Sequence, residues 1–298
     1  MVSSMFSTSF AAVISVLATA ANAASLVAVP DFGSNPTGLE MNIYVPDTPA
    51  ANPAVILALH GCLGNGPGYA QMTRYNELAD QHGFITIFPS SKNDSNCWDV
   101  ASASSLARDG QGDTTGLANM IAYTIQTHNA DPAKIFVTGS SSGGMMTNVL
   151  SAMYPDIFSA ASAYSGVAAG CLAGSPGSSP FSADPACADG QIIKSADQWV
   201  QQAKAMSPAG YDGAYPRFQT WHGTADSLVT YPNLGEQIKQ WSGIHGVCFQ
   251  RNNTDTPLSG YTQMTYGDGT AFVAYSAEGV GHVVPAQEDV DLKWFGLT

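Results

Sequence analysis

Charge is scarce in this chain. Asp, Glu, Lys and Arg make up 11% of its 298 residues, Lys and Arg number ten, and neither occurs before Arg74. With 23 Asp and Glu the formal net charge is −13. An acidic surface repels phosphate backbones and anionic membranes, so neither nucleic acid nor a membrane is an expected partner. A neutral ligand such as a sugar polymer fits better. The six His are too few and too scattered to read as a metal cluster, and no Cys-x-x-Cys or Cys/His spacing suggests zinc. Internal repeats, a Pro/Thr-rich linker and an appended binding module are all missing from the pattern. The apolar run at residues 10–20 is too short to span a bilayer.

Apolar side chains are plentiful at 45%, enough to bury a sizeable core and to exclude a disordered chain. The length fits two average domains or one large α/β domain. The run at 10–20, followed by Ala21-Asn22-Ala23, predicts a secretory signal peptide over residues 1–23, cleaved after Ala23. Only the terminal amine supplies its positive end, and a buried N-terminal helix is the alternative. Secretion into an oxidising compartment lets the five cysteines form two bridges and leave one thiol. Asn93 and Asn252 head Asn-x-Ser/Thr sequons in polar, turn-like stretches where glycans can be carried.

Strand and helix patterns alternate. Strands are expected at Met41–Val45, Ala54–Leu59, Phe84–Phe88, Lys134–Thr138, Phe158–Tyr164, Arg217–Trp221 and Ala271–Tyr275, and helices at 70–82, 117–128, 143–153, 195–206 and 233–243. This alternation predicts an α/β fold with a mostly parallel central sheet covered by helices on both faces, in one domain over residues 24–298. Residues 170–190, rich in Gly, Ser and Pro, read as an excursion loop closed by Cys171 and Cys187. Residues 250–260 read as a polar loop.

The chemistry centres on Gly139-Ser-Ser-Ser-Gly143, which follows one apolar strand and opens a helical segment. That context is the one a nucleophile elbow demands. The tight turn holds the Ser141 hydroxyl exposed at a helix start, where backbone N–H groups favour a developing oxyanion. The alternative is a Gly/Ser turn without chemistry. A serine needs a base, and the base needs an orienting acid. In this fold type the acid and then the histidine follow the serine. His222, His245 and His282 follow Ser141. His282 lies on a glycine-rich loop after the last expected strand, His245 reads as surface, and His222 reads as a structural hydrogen-bonder beside Asp226. Asp226, at a strand end, is the expected acid; Asp109 and Asp113 precede the serine and break the order. The glycine-rich loop after strand 54–59 is expected to supply the Cys62 N–H to an oxyanion hole completed by the Ser142 N–H, with His60 holding that loop. If Cys62 pairs with Cys97, the bridge pins the loop. Trp98, Tyr164 and Trp199 are candidates to line a sugar or aromatic subsite, against the alternative that they are core.

The stretches His60-Gly-Cys62, Cys97-Trp-Asp99, Gly139-Ser-Ser-Ser-Gly143, Tyr164-Ser-Gly166, His222-Gly-Thr-Ala-Asp226 and Gly279-Val-Gly-His282 together resemble carbohydrate esterase family 1, the fungal acetylxylan and feruloyl esterases, which is similar to the polyhydroxybutyrate depolymerases. The likeness runs from Leu26 to Gly296. It implies an α/β-hydrolase fold, a secreted serine esterase acting on acylated xylan without a cofactor, and Ser141, Asp226 and His282 as its triad. It also implies bridges Cys62–Cys97 and Cys171–Cys187, leaving Cys248 free. Acetylxylan esterases of this type usually carry His-Tyr-Cys where Gly61 stands here, and less bulk leaves room for an aromatic acyl group. The region from Asn253 to Phe295 looks more like feruloyl esterases. Cys97-Trp-Asp99 and the stretch Tyr164–Cys171 look more like the acetyl enzymes, and His-Gly-Cys looks like the polyester depolymerases. The balance favours feruloyl over acetyl. A polyester depolymerase, a non-catalytic carbohydrate-binding protein on the same fold and a peptidase remain alternatives; the lack of a long apolar lid segment disfavours a lipase.

Overall fold

The fully apolar stretches become the centre of one large sheet. A computed structural model describes Met1 and residues 24–298, so the expected signal peptide lies outside the described residues apart from Met1. In chain order the elements are β1 (Leu26–Val29), β2 (Met41–Tyr44), β3 (Val55–Leu59), α1 (Gly66–Met72), α2 (Tyr75–His82), β4 (Ile85–Ile87), α3 (Asp113–His128), β5 (Ile135–Ser140), α4 (Ser142–Met153), β6 (Ala160–Tyr164), α5 (Pro185–Ala188), α6 (Ala196–Met206), β7 (Arg217–Gly223), α7 (Pro232–His245), β8 (Phe249–Thr254), β9 (Tyr261–Tyr266), β10 (Phe272–Ala277) and α8 (Glu288–Phe295). The ten strands run in the order β1-β2-β4-β3-β5-β6-β7-β10-β9-β8. From β4 across to β10 every pairing is parallel. The two flanks are antiparallel.

Strand β3 shows why its sequence has no polar alternation. Val55, Leu57 and Leu59 enter one core, with α3, α4, α6 and α7 side chains, while Ile56 and Ala58 enter another, with α1, α2 and α8 side chains. Both faces are covered, so every position is apolar. Burying each such aliphatic side chain is worth roughly 1.5–3 kcal/mol. The expected mostly parallel sheet with helices on both faces is therefore present.

Four local expectations need correction. The segment expected as one helix over 70–82 is two, α1 and α2, because Thr73 turns its N–H and hydroxyl back to the Tyr69 carbonyl and leaves the helical region. Residues 250–260 are not all loop. Residues 249–254 form edge strand β8, whose Phe-Gln-Arg-Asn-Asn-Thr has no apolar face because it lies almost wholly exposed. Asn252 accordingly sits on an exposed edge strand rather than in a turn, while Asn93 is exposed in a loop. Finally, α8 has no counterpart among the expected helices; its Glu288-Asp-Val-Asp291 start resembles a solvated acidic turn, but the helix packs Leu292 and Phe295 into the core. The excursion loop is closed by Cys171–Cys187, Cys62 pairs with Cys97, and Cys248 is free and exposed.

Candidate active site

Strand β5 ends at Ser140 and α4 begins at Ser142, which leaves Ser141 alone to make the turn, at φ 57° and ψ −121°. This left-handed backbone is uncommon for a side-chain-bearing residue and costs on the order of 1–3 kcal/mol. It persists because the surroundings leave no alternative. The Ser141 N–H donates to the Tyr164 carbonyl at 2.9 Å, and its own carbonyl accepts the Met145 N–H at 2.9 Å. The flanking glycines allow the crowding. A Cβ on Gly139 would sit 2.5 Å from the Gly143 carbonyl, and one on Gly143 would sit 2.1 Å from the Leu59 carbonyl oxygen. Any side chain at either place would push strand and helix apart.

The three residues expected to act together meet at the carboxyl ends of the parallel strands. His282 Nε2 is 2.7 Å from Ser141 Oγ, and His282 Nδ1 is 2.7 Å from Asp226 Oδ2. The His282 side chain is 12% exposed and that of Asp226 is fully buried, so the ring faces solvent while the acid does not. Asp226 Oδ1 accepts the Leu228 and Val229 N–H groups at 3.0 and 2.9 Å. Burial pushes the Asp226 carboxyl up, but the hydrogen bonds from His282 and these N–H groups outweigh it and hold it below the usual carboxylate range.

The other histidines have structural surroundings. His222, buried on β7, donates from Nε2 to the Val229 carbonyl at 2.7 Å and stands 3.5 Å from Asp226 Oδ2. Burial draws its pKa down. His60 donates from Nδ1 to the Gly61 carbonyl at 2.7 Å and accepts the Ser91 N–H at 3.3 Å, so it braces the loop after β3. His245 departs from expectation: it is half-buried against Trp241, and burial pulls its pKa to about 4. Asp113, at the start of α3, accepts the Asp99 N–H at 2.9 Å and takes no part in the cluster.

The glycine-rich loop lies against the serine. A Cβ on Gly61 would be 3.3 Å from Ser141 Cβ and 3.9 Å from its Oγ. The next N–H, that of Cys62, has no acceptor among the described residues. Ser142 is the first residue of α4, where an N–H has no partner within the helix. The Cys62–Cys97 bridge, the Trp98 Nε1 bond to the His60 carbonyl and the Ser142 Oγ bond to the Trp98 N–H, the last two both 2.8 Å, bind this loop to the elbow. A cleft of about 360 Å³ opens beside it, lined among others by Asn93, Asp94, Cys97, Asp99 and Ser182.

Trp98, Tyr164 and Trp199 do not line a subsite. All three are fully buried. Trp98 props the loop as described, Tyr164 stacks on Trp221 and bonds Asp291, and Trp199 donates to Glu236 at 2.7 Å. The sequence could not separate an aromatic beside a site from one beneath it. Among the described residues no group of three or more His, Cys, Asp or Glu is placed to hold a metal ion. No helix among them is long and apolar enough to cross a membrane.

A parallel sheet with a strained serine between central strand and helix, followed along the chain by an aspartate and a histidine at later strand ends, defines an α/β-hydrolase. Residues 39–246 match the family described as esterase PHB depolymerase, and the chain belongs to that esterase family. It is 49% identical over 276 residues to feruloyl esterase B of Talaromyces funiculosus, covering 93% of this chain and 78% of that one. It is 43% identical over 276 residues to acetylxylan esterase A of Aspergillus awamori, covering 92% and 90%. The solved acetyl xylan esterase from Aspergillus awamori superposes with a TM-score of 0.86 at 42% identity, over 92% of this chain and 100% of that one.

Proposed function

We propose that the chain is a secreted serine carboxylesterase that releases acyl side groups from plant cell-wall xylan, feruloyl ahead of acetyl. The observation that carries the reading is the unbroken run of contacts from Ser141 Oγ through His282 to Asp226, 2.7 Å at each step. Ser141 attacks the ester carbonyl and His282 Nε2 takes its proton. Asp226 holds the ring by Nδ1 and stabilises its charged form. The tetrahedral oxyanion is held by the N–H groups of Cys62 and Ser142, a pair of donors worth about 10²–10³ in rate for each one. The sugar alcohol departs with the proton from His282. Water, activated by the same ring, then releases the acid and restores Ser141.

The names of relatives point both ways, one a feruloyl and one an acetylxylan esterase. Gly61 favours the larger acyl group, since a bulky side chain there would project from a point 3.9 Å from the nucleophile hydroxyl. Cleavage of residues 1–23 and a single mature domain over 24–298 complete the reading. Two bridged cysteine pairs support an oxidising destination.

The test is release of ferulate and acetate from arabinoxylan by the purified protein, with Ser141→Ala as control. Ferulate released at the higher kcat/KM, with both activities lost in the variant, is the expected result. A preference for acetate makes it an acetylxylan esterase. Turnover of a short-chain hydroxybutyrate polyester but not xylan makes it a depolymerase. Absence of nitrophenyl acetate turnover makes it a binding protein, and full activity of Ser141→Ala ends the proposal.

A further inference from the structure

The stretch carrying His282 belongs to no helix or strand. Its position comes from anchors on either side. Upstream, the Gly279 N–H donates to Thr224 Oγ1 at 2.8 Å, and the Val280 carbonyl accepts the Ala225 N–H at 3.0 Å. Downstream, the Val284 N–H donates to Ser165 Oγ at 3.1 Å, and the Gln287 N–H donates to the Tyr164 hydroxyl at 3.0 Å. His282 is slung between Val280 and Val284.

The downstream anchors also govern the serine. Tyr164 ends β6, and its carbonyl is the one that receives the Ser141 N–H. Its hydroxyl donates to Asp291 Oδ1 at 2.7 Å. Asp291 is wholly buried on α8 and also accepts from Gln219 Nε2 at 2.7 Å and from the Tyr75 hydroxyl at 2.5 Å. The neighbouring Ser165 is buried with φ at +50°, a conformation that glycine would adopt without strain. What the serine adds there is its hydroxyl, the group that holds Val284. Its N–H meanwhile donates to the Trp221 carbonyl at 2.8 Å.

We propose that Tyr164 and Ser165 are positioning residues that keep the His282 loop in register with Ser141, Asp291 fixing the Tyr164 hydroxyl from below. The inference rests on the triad reading given above. One tyrosine thus sets the serine through its backbone and the histidine through its side chain. A misplacement of about 1 Å between reacting groups costs about 10² in rate, so the loss of either anchor falls on the chemical step rather than on substrate binding.

The test compares Tyr164→Phe, Ser165→Gly and Tyr75→Phe with the full-length protein, on nitrophenyl acetate and in the rate at which a fluorophosphonate probe labels Ser141. Tyr164→Phe and Ser165→Gly are expected to lower kcat and the labelling rate tenfold or more with KM within twofold of wild type. Ser165→Gly relieves backbone strain, so its folding is preserved while its anchor is gone. Tyr75→Phe removes another donor from the same carboxylate but none from the loop, and is expected to keep kcat within twofold. Wild-type kcat in Ser165→Gly, or an equal fall in Tyr75→Phe and Tyr164→Phe, overturns the proposal. Failure of the underlying reading is separately visible as turnover by Ser141→Ala.

Discussion

The two sides of the site are built in different ways. On one side, Ser141 is placed by five consecutive residues, two of them glycines that exist to let strand and helix touch. On the other, His282 is placed by two stretches far from it and from each other in the chain: Thr224, Ala225 and Asp226, and Tyr164 and Ser165. The elbow's turn lies within its own five residues, with the Tyr164 and Leu59 carbonyls as its outside supports. The histidine loop takes its geometry from its neighbours. The elbow's strain is held by close packing on every side, whereas the histidine loop rests on several separate anchors that can be removed singly.

The comparison can be broken from either side. The largest effect is expected from Asp226→Asn, which leaves the elbow untouched but deprives His282 of its orienting charge; kcat should fall by about 10⁴, measured on nitrophenyl acetate. Next is Gly143→Ala on the other side. Its methyl meets the Leu59 carbonyl oxygen at 2.1 Å, and urea denaturation should show a loss of roughly 3 kcal/mol or more, with activity lost as well. A double Cys171→Ser, Cys187→Ser variant opens a loop of sequence separation 16 and should lose about 3 kcal/mol in the same measurement. It bears on the histidine side, because Ala188, just beyond the bridge, accepts the Thr230 N–H in the acid loop at 2.8 Å.

The last test is one of pH. Burial pushes the Asp291 carboxyl up to about 7, above its ordinary value of 3.8. The folded state therefore holds a proton there that the unfolded chain gives up. This contribution is complete below about pH 4 and is lost as the pH rises to about 7. Asparagine does not titrate, so the thermal midpoint of wild type relative to Asp291→Asn should decline across that window. A difference that is flat with pH would refute it.

What could be read from the chain follows the same division. The elbow, the buried strands and the order of acid and histidine show themselves because the signal lies in adjacent residues or in simple succession. Whether Trp98, Tyr164 and Trp199 line a subsite or belong to the core is not legible in the chain, because what covers an aromatic ring is decided by segments far away. Strand β8 leaves no signature in the sequence because an exposed edge needs no apolar alternation, and the break between α1 and α2 leaves none because it rests on one threonine side chain. Asp291 gave no signal at all, since an acidic residue at a helix start ordinarily meets water.

The buried His222 behind Asp226 has a consequence for acidic surroundings. It stands 3.5 Å from the oxygen that serves His282, close enough to claim it were it ever charged. Burial keeps it uncharged at pH values where an exposed imidazole would already have gained its proton. The carboxylate is spared a rival, and its pull stays aimed at a single ring as the medium sours.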